Sequence, residues 1–327
     1  ARGCLDPDEQ RLFKQSGDLP HMTIMQTSGS SGAPPLRIPR TSAEIQWLGT
    51  KLFQHHVERY GELPERCAFL GGISHMEANR KFDVQSPVAV RNFRADQLAE
   101  LDAFDPNWLS MYPSFCREIV ANESLELKSL QFVKLGGETI FPSDLEKIWK
   151  RFPEVDVVEQ FGSTEMPALA FRSYTRAGDS GYRLSTDRYS FRFEDTEGWQ
   201  TLVVRDNFPE RAFPIEGWFE TDDEVLVRGG QVIDVRRKED PVFPIRAEID
   251  ALLAAGCINV QILADSGKLI YDAPPEVSLP ATVTIGGRTL RSIRGRPYRL
   301  IDSNKLPLVV DTTKVSKESL YEANRPV

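Results

Sequence analysis

Histidine and cysteine are scarce, with four of each in 327 residues. The cysteines, Cys4, Cys67, Cys116 and Cys257, form no CxxC pair and have no neighbouring His, which argues against a zinc knuckle and a dense disulfide framework. They read as reduced, buried thiols. No apolar run reaches membrane-spanning length and no apolar signal core opens the chain, so the expectation is a soluble cytoplasmic protein with no membrane partner. Positive charge is in deficit: 40 Lys and Arg against 48 Asp and Glu give −8, and no locally basic face emerges, which disfavours nucleic acid as a partner. The Walker pattern GxxxxGK[ST] is missing too, because Pro34 and Pro35 stand where its Lys would be needed, and an ordinary P-loop kinase is disfavoured.

What is present is a globular composition. At 40% hydrophobic residues, 22 Gly and 22 Pro, the chain has enough apolar material for a full core. Its length fits two domains, or one large α/β unit with an appendage. Met22 to Met25 read as a strand, and the Gly, Ser and Pro run from Thr27 to Pro35 reads as a loop. Ile45, Leu48, Leu52, Phe53 and Val57 recur at helical spacing and Gly61 supplies a stop. Leu130 to Leu135 form a second strand leading into Gly136-Gly137-Glu138. A helix follows with a capping box at Ser143 to Glu146, and Val155 to Val158 predict a third strand ending in Phe161-Gly162-Ser163-Thr164-Glu165. Strand and helix alternating in this way predict an α/β sheet. From 182 to 235 short strands and Gly turns predict a β-rich subdomain, with a hairpin at Val225 to Val235. Arg236 to Pro241 is a charged junction, followed by a helix through Ile249 and Leu253 that Gly256 closes. The predicted organisation is 1–235, a hinge at 236–240, and a small α+β domain over 241–327.

Two loops have the chemistry to cradle phosphate. Glycines let backbone N–H groups approach a polyanion, Ser and Thr add hydroxyl donors, and a nearby carboxylate can hold Mg²⁺ against phosphate oxygens. The Thr27 to Gly32 loop and the Gly162 to Glu165 turn both have this composition, although either alone also fits a plain linker.

Taken in order, the motifs resemble those of the adenylate-forming superfamily of acyl-CoA synthetases, adenylation domains and luciferases. Thr27-Ser28-Gly29-Ser30-Ser31-Gly32-Ala33-Pro34 resembles its phosphate loop, and Phe161-Gly162-Ser163-Thr164-Glu165 its aromatic-Gly-x-Thr-Glu motif. Gly217 to Asp223 is similar to Gly-Trp-x-x-Thr-Gly-Asp with Asp222 in place of Gly, and Arg237 to Asp240 to the Gly-Arg-x-x-Asp hinge with Arg236 in place of Gly. Within the superfamily, Phe69 to His75, Tyr112-Pro113-Ser114 and Leu135 to Glu138 look like the phenylacetate–CoA ligase branch. Relatives carry a longer segment before the phosphate loop and an apolar, Gly-rich link where Asp240 here runs straight to Val242.

The resemblance implies ATP and Mg²⁺, with an aromatic carboxylic acid as substrate and CoA or a carrier thiol as acceptor. It places the Thr27 to Gly32 loop on the β- and γ-phosphates, Thr164 on the α-phosphate and Glu165 on the metal. Gly136, Gly137, Glu138 and Phe161 enclose adenine, with Gly162 and Ser163 in the same turn, and Asp223 and Arg237 take the ribose hydroxyls. A C-terminal lysine is needed, with Lys314 the first choice before Lys317 and Lys268. His75, Tyr112, Phe115, Phe141 and Ala168 are the expected acyl-pocket wall, and Asp240 the hinge about which the C-terminal part swings across a sparsely contacted boundary. The rival readings are a non-catalytic nucleotide- or acyl-binding module that kept the fold, and a phosphotransferase using the same loops.

Overall fold

The computed structural model describes residues 22–26, 37–70, 88–94, 96–212, 217–300, 305–313 and 320–322. β1 (Met22–Gln26) and β2 (Arg37–Thr41) pair antiparallel, with Gln26 opposite Arg37, so the 27–36 connection leaves from that rung. α1 (Ser42–Tyr60) follows at once. Thr41 Oγ1 accepts the Glu44 N–H at 3.1 Å, Glu44 reaches back to the Thr41 N–H at 3.1 Å, and Gly61 at φ +78° ends the helix. Val57, expected on its apolar face, is 39% exposed.

The central sheet comprises β3 (Arg66–Leu70), β4 (Ala89–Asn92), β5 (Trp108–Met111), β6 (Phe132–Gly136), β7 (Asp156–Phe161), β8 (Ala170–Thr175) and β9 (Gly178–Leu184). Their spatial order is β4-β3-β5-β6-β7-β8-β9, parallel through β7 and antiparallel beyond it. Such strands need cover on both faces. α1 covers one, packing Phe53 with Cys67, Trp108 and Phe132. α2 (Leu98–Phe104), α3 (Pro113–Ala121) and α4 (Pro142–Arg151) accompany the other, where Leu101, Phe115, Ile119 and Ile148 bury with Leu109, Val133 and Leu135. α4 does not start at the expected capping box. Pro142 occupies the first helical position, and Asp144 accepts the Phe141 N–H at 2.9 Å, so the helix begins earlier.

β10 (Tyr189–Arg192), β11 (Gly198–Asp206), β12 (Phe219–Arg228) and β13 (Gln231–Arg237) make an antiparallel meander. The expected hairpin is its last turn, with Gly229 at φ +54° and Gly230 at φ +75° between the paired Arg228 and Gln231. Beyond it come α5 (Arg246–Ala254), β14 (Asn259–Leu263), β15 (Lys268–Asp272), β16 (Thr282–Ile285), β17 (Arg288–Arg294), β18 (Tyr298–Leu300), β19 (Val309–Val310) and β20 (Leu320–Glu322). Five of these strands form a mixed sheet ordered β16-β17-β15-β14-β19. The fold is thus α/β with several mixed sheets, a β-rich subdomain and an α+β C-terminal part. Cys67, Cys116 and Cys257 are free and buried, and burial pushes their thiols up. Among the described residues no helix is long and apolar enough to cross a membrane.

The sparse boundary expected after 236–240 is not what the structure has. Phe141, fully buried, joins the cluster of Val242, Ile249, Leu253, Cys257 and Val260. Lys147 Nζ donates to the Leu253 and Cys257 carbonyls at 2.5 and 3.1 Å, satisfying the C-terminal end of α5. Arg117, paired with Asp144 at 2.7 Å, also donates to Asn259 Oδ1 at 3.1 Å, while Arg299 donates to Ser114 Oγ at 2.9 Å and Glu118 at 2.5 Å. Charges legible in sequence only as solvated ones are the ties between the two parts.

The Arg117–Asp144 pair is buried on both sides, so Arg117→Met leaves a carboxylate without its cation and should cost about 3–5 kcal/mol. Urea unfolding followed by tryptophan fluorescence and far-UV dichroism checks it. One shared, earlier transition is expected because both parts use this core. Two separated transitions in the wild-type chain would contradict a common core.

Candidate functional site

The C-terminal ends of β5, β6 and β7 lie side by side, Met111 beside Leu135 and Gly136 beside Gln160. In open α/β sheets that edge is where ligands bind. Two expected segments therefore meet there: the 136–138 turn and the 161–165 turn. Thr27, Ser28, Gly29, Ser30, Ser31 and Gly32, with His75, Lys314 and Lys317, lie outside the described residues.

The 161–165 turn is built tightly. Phe161 ends β7 half-buried, its ring 6.2 Å from that of Tyr182. A Cβ on Gly162 would come within 2.7 Å of the Ala168 nitrogen and 2.9 Å of the Met166 carbonyl, so only glycine lets the chain double back. Ser163 donates its N–H to the Met166 carbonyl at 3.0 Å and accepts the Met166 N–H on Oγ at 3.1 Å, which commits it to the turn. Thr164 and Glu165 are half-buried, and their carbonyls accept from Arg40 Nη2 at 2.6 and 2.7 Å.

Arg40 belongs to a buried network that the sequence did not reveal. Its Nη1 donates to Glu44 Oε1 at 2.7 Å, and Glu44 also accepts from Arg188 at 3.0 Å and from the Ala212 N–H at 3.0 Å. Arg188 closes on Asp206 at 2.6 and 3.0 Å. All four charged side chains are at most 5% exposed and their formal charges cancel. Because Arg40 lies three residues from the stem of the 27–36 connection, the network fixes that stem against the Thr164–Glu165 turn. Thr41-Ser42-Ala43-Glu44 spells a capping box, the one local signal that could have drawn attention to Glu44.

Just after β6, Gly137 adopts φ +78°, and a Cβ there would meet the Tyr112 ring at 2.8 Å and Lys305 at 3.3 Å. Glu138 accepts the Ser114 N–H at 2.9 Å and the Ser114 hydroxyl at 3.1 Å at the start of α3, and the Leu306 N–H at 2.7 Å. Its carboxylate thus holds the 305–306 segment over the sheet edge. Burial pulls the Lys305 ammonium below its usual range, with Glu138 opposing and Arg237 reinforcing that shift. The sequence missed Lys305. Lys268, the third lysine considered, instead opens β15 in a hairpin opposite Leu263.

Asp223 and Arg237 face each other in register on β12 and β13. Burial raises the Asp223 carboxyl to about 6, Arg237 acts against that rise, and Asp222 and Glu165 add to it. Asp223 is thus within electrostatic reach of Glu165 and Arg237, and Lys305 within reach of Arg237 and Glu138, a chain of pairwise couplings. Asp240 lies just beyond, its carboxylate accepting the Val242 N–H at 2.9 Å.

The expected acyl-pocket wall divides. Tyr112 and Phe115 stack at 6.3 Å at the start of α3, and Ala168 is buried in the opposite cluster with Val158 and Phe171. Phe141 is placed differently, enclosed by the C-terminal cluster with the Arg117 guanidinium 5.4 Å from its ring. Its side chain follows Pro142 and α4 into that interface. Among the described residues no group of three or more His, Cys, Asp or Glu could hold a metal unaided. A single carboxylate such as Glu165, half-buried in the 161–165 turn, can serve Mg²⁺, which takes few protein ligands and completes its shell with phosphate and water oxygens.

No family model and no curated protein matches the sequence. Solved structures do share the fold. An anthranilate CoA ligase in complex with anthranoyl-AMP gives a TM-score of 0.57 at 16% identity, over 79% of this chain and 57% of that one. A benzoate CoA ligase from Burkholderia xenovorans LB400 gives 0.56 at 14% identity, over 81% and 61%. O-succinylbenzoate coenzyme A synthetase from Bacillus subtilis, in complex with ATP and magnesium ion, gives 0.55 at 14% identity, over 87% and 68%. The likeness is one of fold, and the chain spans less than two thirds of the first two structures.

Asp223 has a folded-state pKa of about 6 against an ordinary 3.8, so its charge counts against folding. The penalty is absent below about pH 4, grows as pH rises through 6 and is complete above it. Asp223→Asn should therefore stabilise the chain at pH 7.5 by on the order of 1–3 kcal/mol, with no gain at pH 4. Denaturant midpoints at the two pH values check this. A gain at pH 4 equal to that at pH 7.5 would remove the buried charge as its cause.

Proposed function

We propose that this chain activates an aromatic carboxylic acid with MgATP, forming an acyl-adenylate and pyrophosphate, and then passes the acyl group to CoA or another thiol. The observation that carries this reading is the convergence, at one sheet edge, of the Gly137–Glu138 turn, the Arg40-clamped Thr164–Glu165 turn and the Asp223–Arg237 rung. The shared fold with ligases that act on aromatic acids supports it.

The acid's carboxylate oxygen attacks the α-phosphorus in line while pyrophosphate departs, so the protein's task is to position two anions and offset their charge. In this reading the Thr164 hydroxyl meets the α-phosphate, and Phe161, Gly136 and Gly137 make the adenine wall. Asp223 and Arg237 offer an acceptor and a donor to the ribose hydroxyls. The 27–32 loop, carried by the anchored β1–β2 stem, takes the β- and γ-phosphates. Glu165 would hold Mg²⁺, which supplies charge neutralisation at the phosphate oxygens. Lys305 brings a desolvated ammonium to the same edge, and Lys314 is the second candidate cation. Free buried thiols suit a cytoplasmic setting.

Phenazine carboxylic acids, activated in antibiotic biosynthesis, stand as one candidate substrate class beside the benzoic and phenylacetic acids. Acid-dependent ATP–pyrophosphate exchange over benzoic, phenylacetic and phenazine carboxylic acids tests the reaction. Exchange with at least one acid is expected. Nucleotide binding without exchange would favour a non-catalytic module, and ATP consumption without pyrophosphate a phosphotransferase. Glu165→Gln keeps the shape and removes the metal's charge partner, so it should lower exchange by about 10²-fold or more at unchanged melting temperature. Unaltered exchange would take Glu165 out of the site.

We further propose that 236–240 works as a hinge between 1–235 and 241–327. Arg236 bears on it, since its guanidinium lies 4.1 Å from the Trp199 ring and 4.5 Å from the Phe243 ring, on either side of Asp240, and pairs with Glu224 at 2.8 Å. Asp240→Pro fixes φ at the joint and should slow thiol transfer severalfold while sparing pyrophosphate exchange. Measuring the half-reactions separately decides it, because equal effects on both, or none, would mean Asp240 is not a hinge.

A further inference from the structure

Two residues before the end of β6, the interior of the sheet contains a lysine. Lys134 shares a sheet face with its registered neighbours Ser110 on β5 and Val158 on β7, with Phe69 opposite Ser110, and on β8 with Ser173 opposite Val158 and Phe171 opposite Gln160. Phe69, Val158, Phe171 and Ala168 belong to one buried apolar cluster, and Ser110 is 9% exposed. Lys134 Nζ donates to Gln160 Oε1 at 2.6 Å, a neutral acceptor. Among the described residues no carboxylate pairs with it. Desolvation alone draws its pKa from 10.5 down to about 7.

An ammonium in such surroundings costs free energy unless a counter-charge meets it, and the described residues supply none. The position is also informative. Two residues of β-strand place Lys134 roughly 7 Å along the strand from Gly136, about the span of one substituted aromatic ring. A flat apolar wall, a hydroxyl, an amide and a desolvated amine, about one ring-length from the Gly136 end of the strand, describe a receptor for an aromatic body with a distal anion.

We infer that Lys134 determines specificity by binding the second acidic group, a carboxylate or phenolate, of an aromatic acid whose first carboxylate faces the Thr164–Glu165 turn. This rests on the adenylation reading of the same site and adds the substrate class. The distal anion accepts a charge-assisted hydrogen bond from Nζ, and Ser110 and Gln160 can complete its shell. A monoacid leaves the ammonium uncompensated.

The test compares benzoate with terephthalate and 4-hydroxybenzoate, and phenylacetate with its 4-carboxy and 4-hydroxy derivatives. Each is titrated into the full chain by calorimetry without ATP, and each is assayed in pyrophosphate exchange. The wild-type chain should bind at least one acid of the second kind about 10- to 100-fold tighter than its parent. Lys134→Met should erase that preference without weakening the parent acid, whose affinity stays level or rises because no desolvated amine is left without a partner. If Lys134→Met does not fold, Lys134→Gln and the wild-type preference carry the test. No wild-type preference, or an equal loss for both kinds of acid in the variant, overturns the inference even where exchange proceeds. A Lys134-dependent preference in binding with no exchange for any acid leaves the inference standing and overturns the adenylation reading.

Discussion

Four buried charges hold the site together. Arg40 and Glu44 come from the end of β2 and the first turn of α1, whereas Arg188 and Asp206 come from the β-rich meander, 144 residues away along the Glu44–Arg188 contact. Taking them out of water costs several kcal/mol per ion, which mutual pairing and the Ala212 and Thr41 N–H groups offset. Two guanidinium nitrogens, Arg40 Nε and Arg188 Nη1, have no hydrogen-bond partner among the described residues, and the Arg188 guanidinium lies about 5 Å from the rings of Trp47, Tyr189 and Phe208. A network so incompletely satisfied adds less to stability than to uniqueness. It fixes the β1–β2 stem, α1, the meander and the Thr164–Glu165 turn in a single arrangement.

That constraint also explains what was legible in the sequence. α1 and the β12–β13 hairpin follow from local signals, namely helical spacing closed by Gly61 and a Gly-Gly turn between β-branched runs. The Phe161–Glu165 turn was legible for the same reason, since Gly162 is required by contacts within six residues. The capping box at Ser143 misread the start of α4 because Pro142 outranked Ser143. Pairings over a hundred residues apart leave no periodic trace. Arg40, Arg117, Lys147 and Arg299 each look like a solvated charge in sequence, and each is an internal tie in the fold.

The pocket residues show the same limit. Tyr112 and Ala168 fall near the sheet edge because they flank strand ends. Phe141 leaves the site because α4 carries it towards Ile249 and Leu253. Lys134, in contrast, sits inside a parallel strand where an apolar residue is the rule, and its significance appears only once its neighbours Ser110, Val158 and Gln160 are known.

The docked C-terminal part is the last link between packing and chemistry. Glu138 accepts the Leu306 N–H, which holds Lys305 beside Gly137, so the contacts that tie 241–313 to the sheet also bring a cation to the proposed reaction centre. Undocking would release Lys305 and break the Lys147, Arg117 and Arg299 hydrogen bonds, each worth about 1–3 kcal/mol where a charged group is left unpaired. The docked arrangement is therefore a stable state and not one of many isoenergetic poses. A swing about Asp240 requires a ligand that favours the undocked form by a comparable amount. In the proposed reaction, departure of pyrophosphate would remove anionic charge from the edge where Lys305 and Arg237 stand, and so weaken the attraction that keeps the docked form in place.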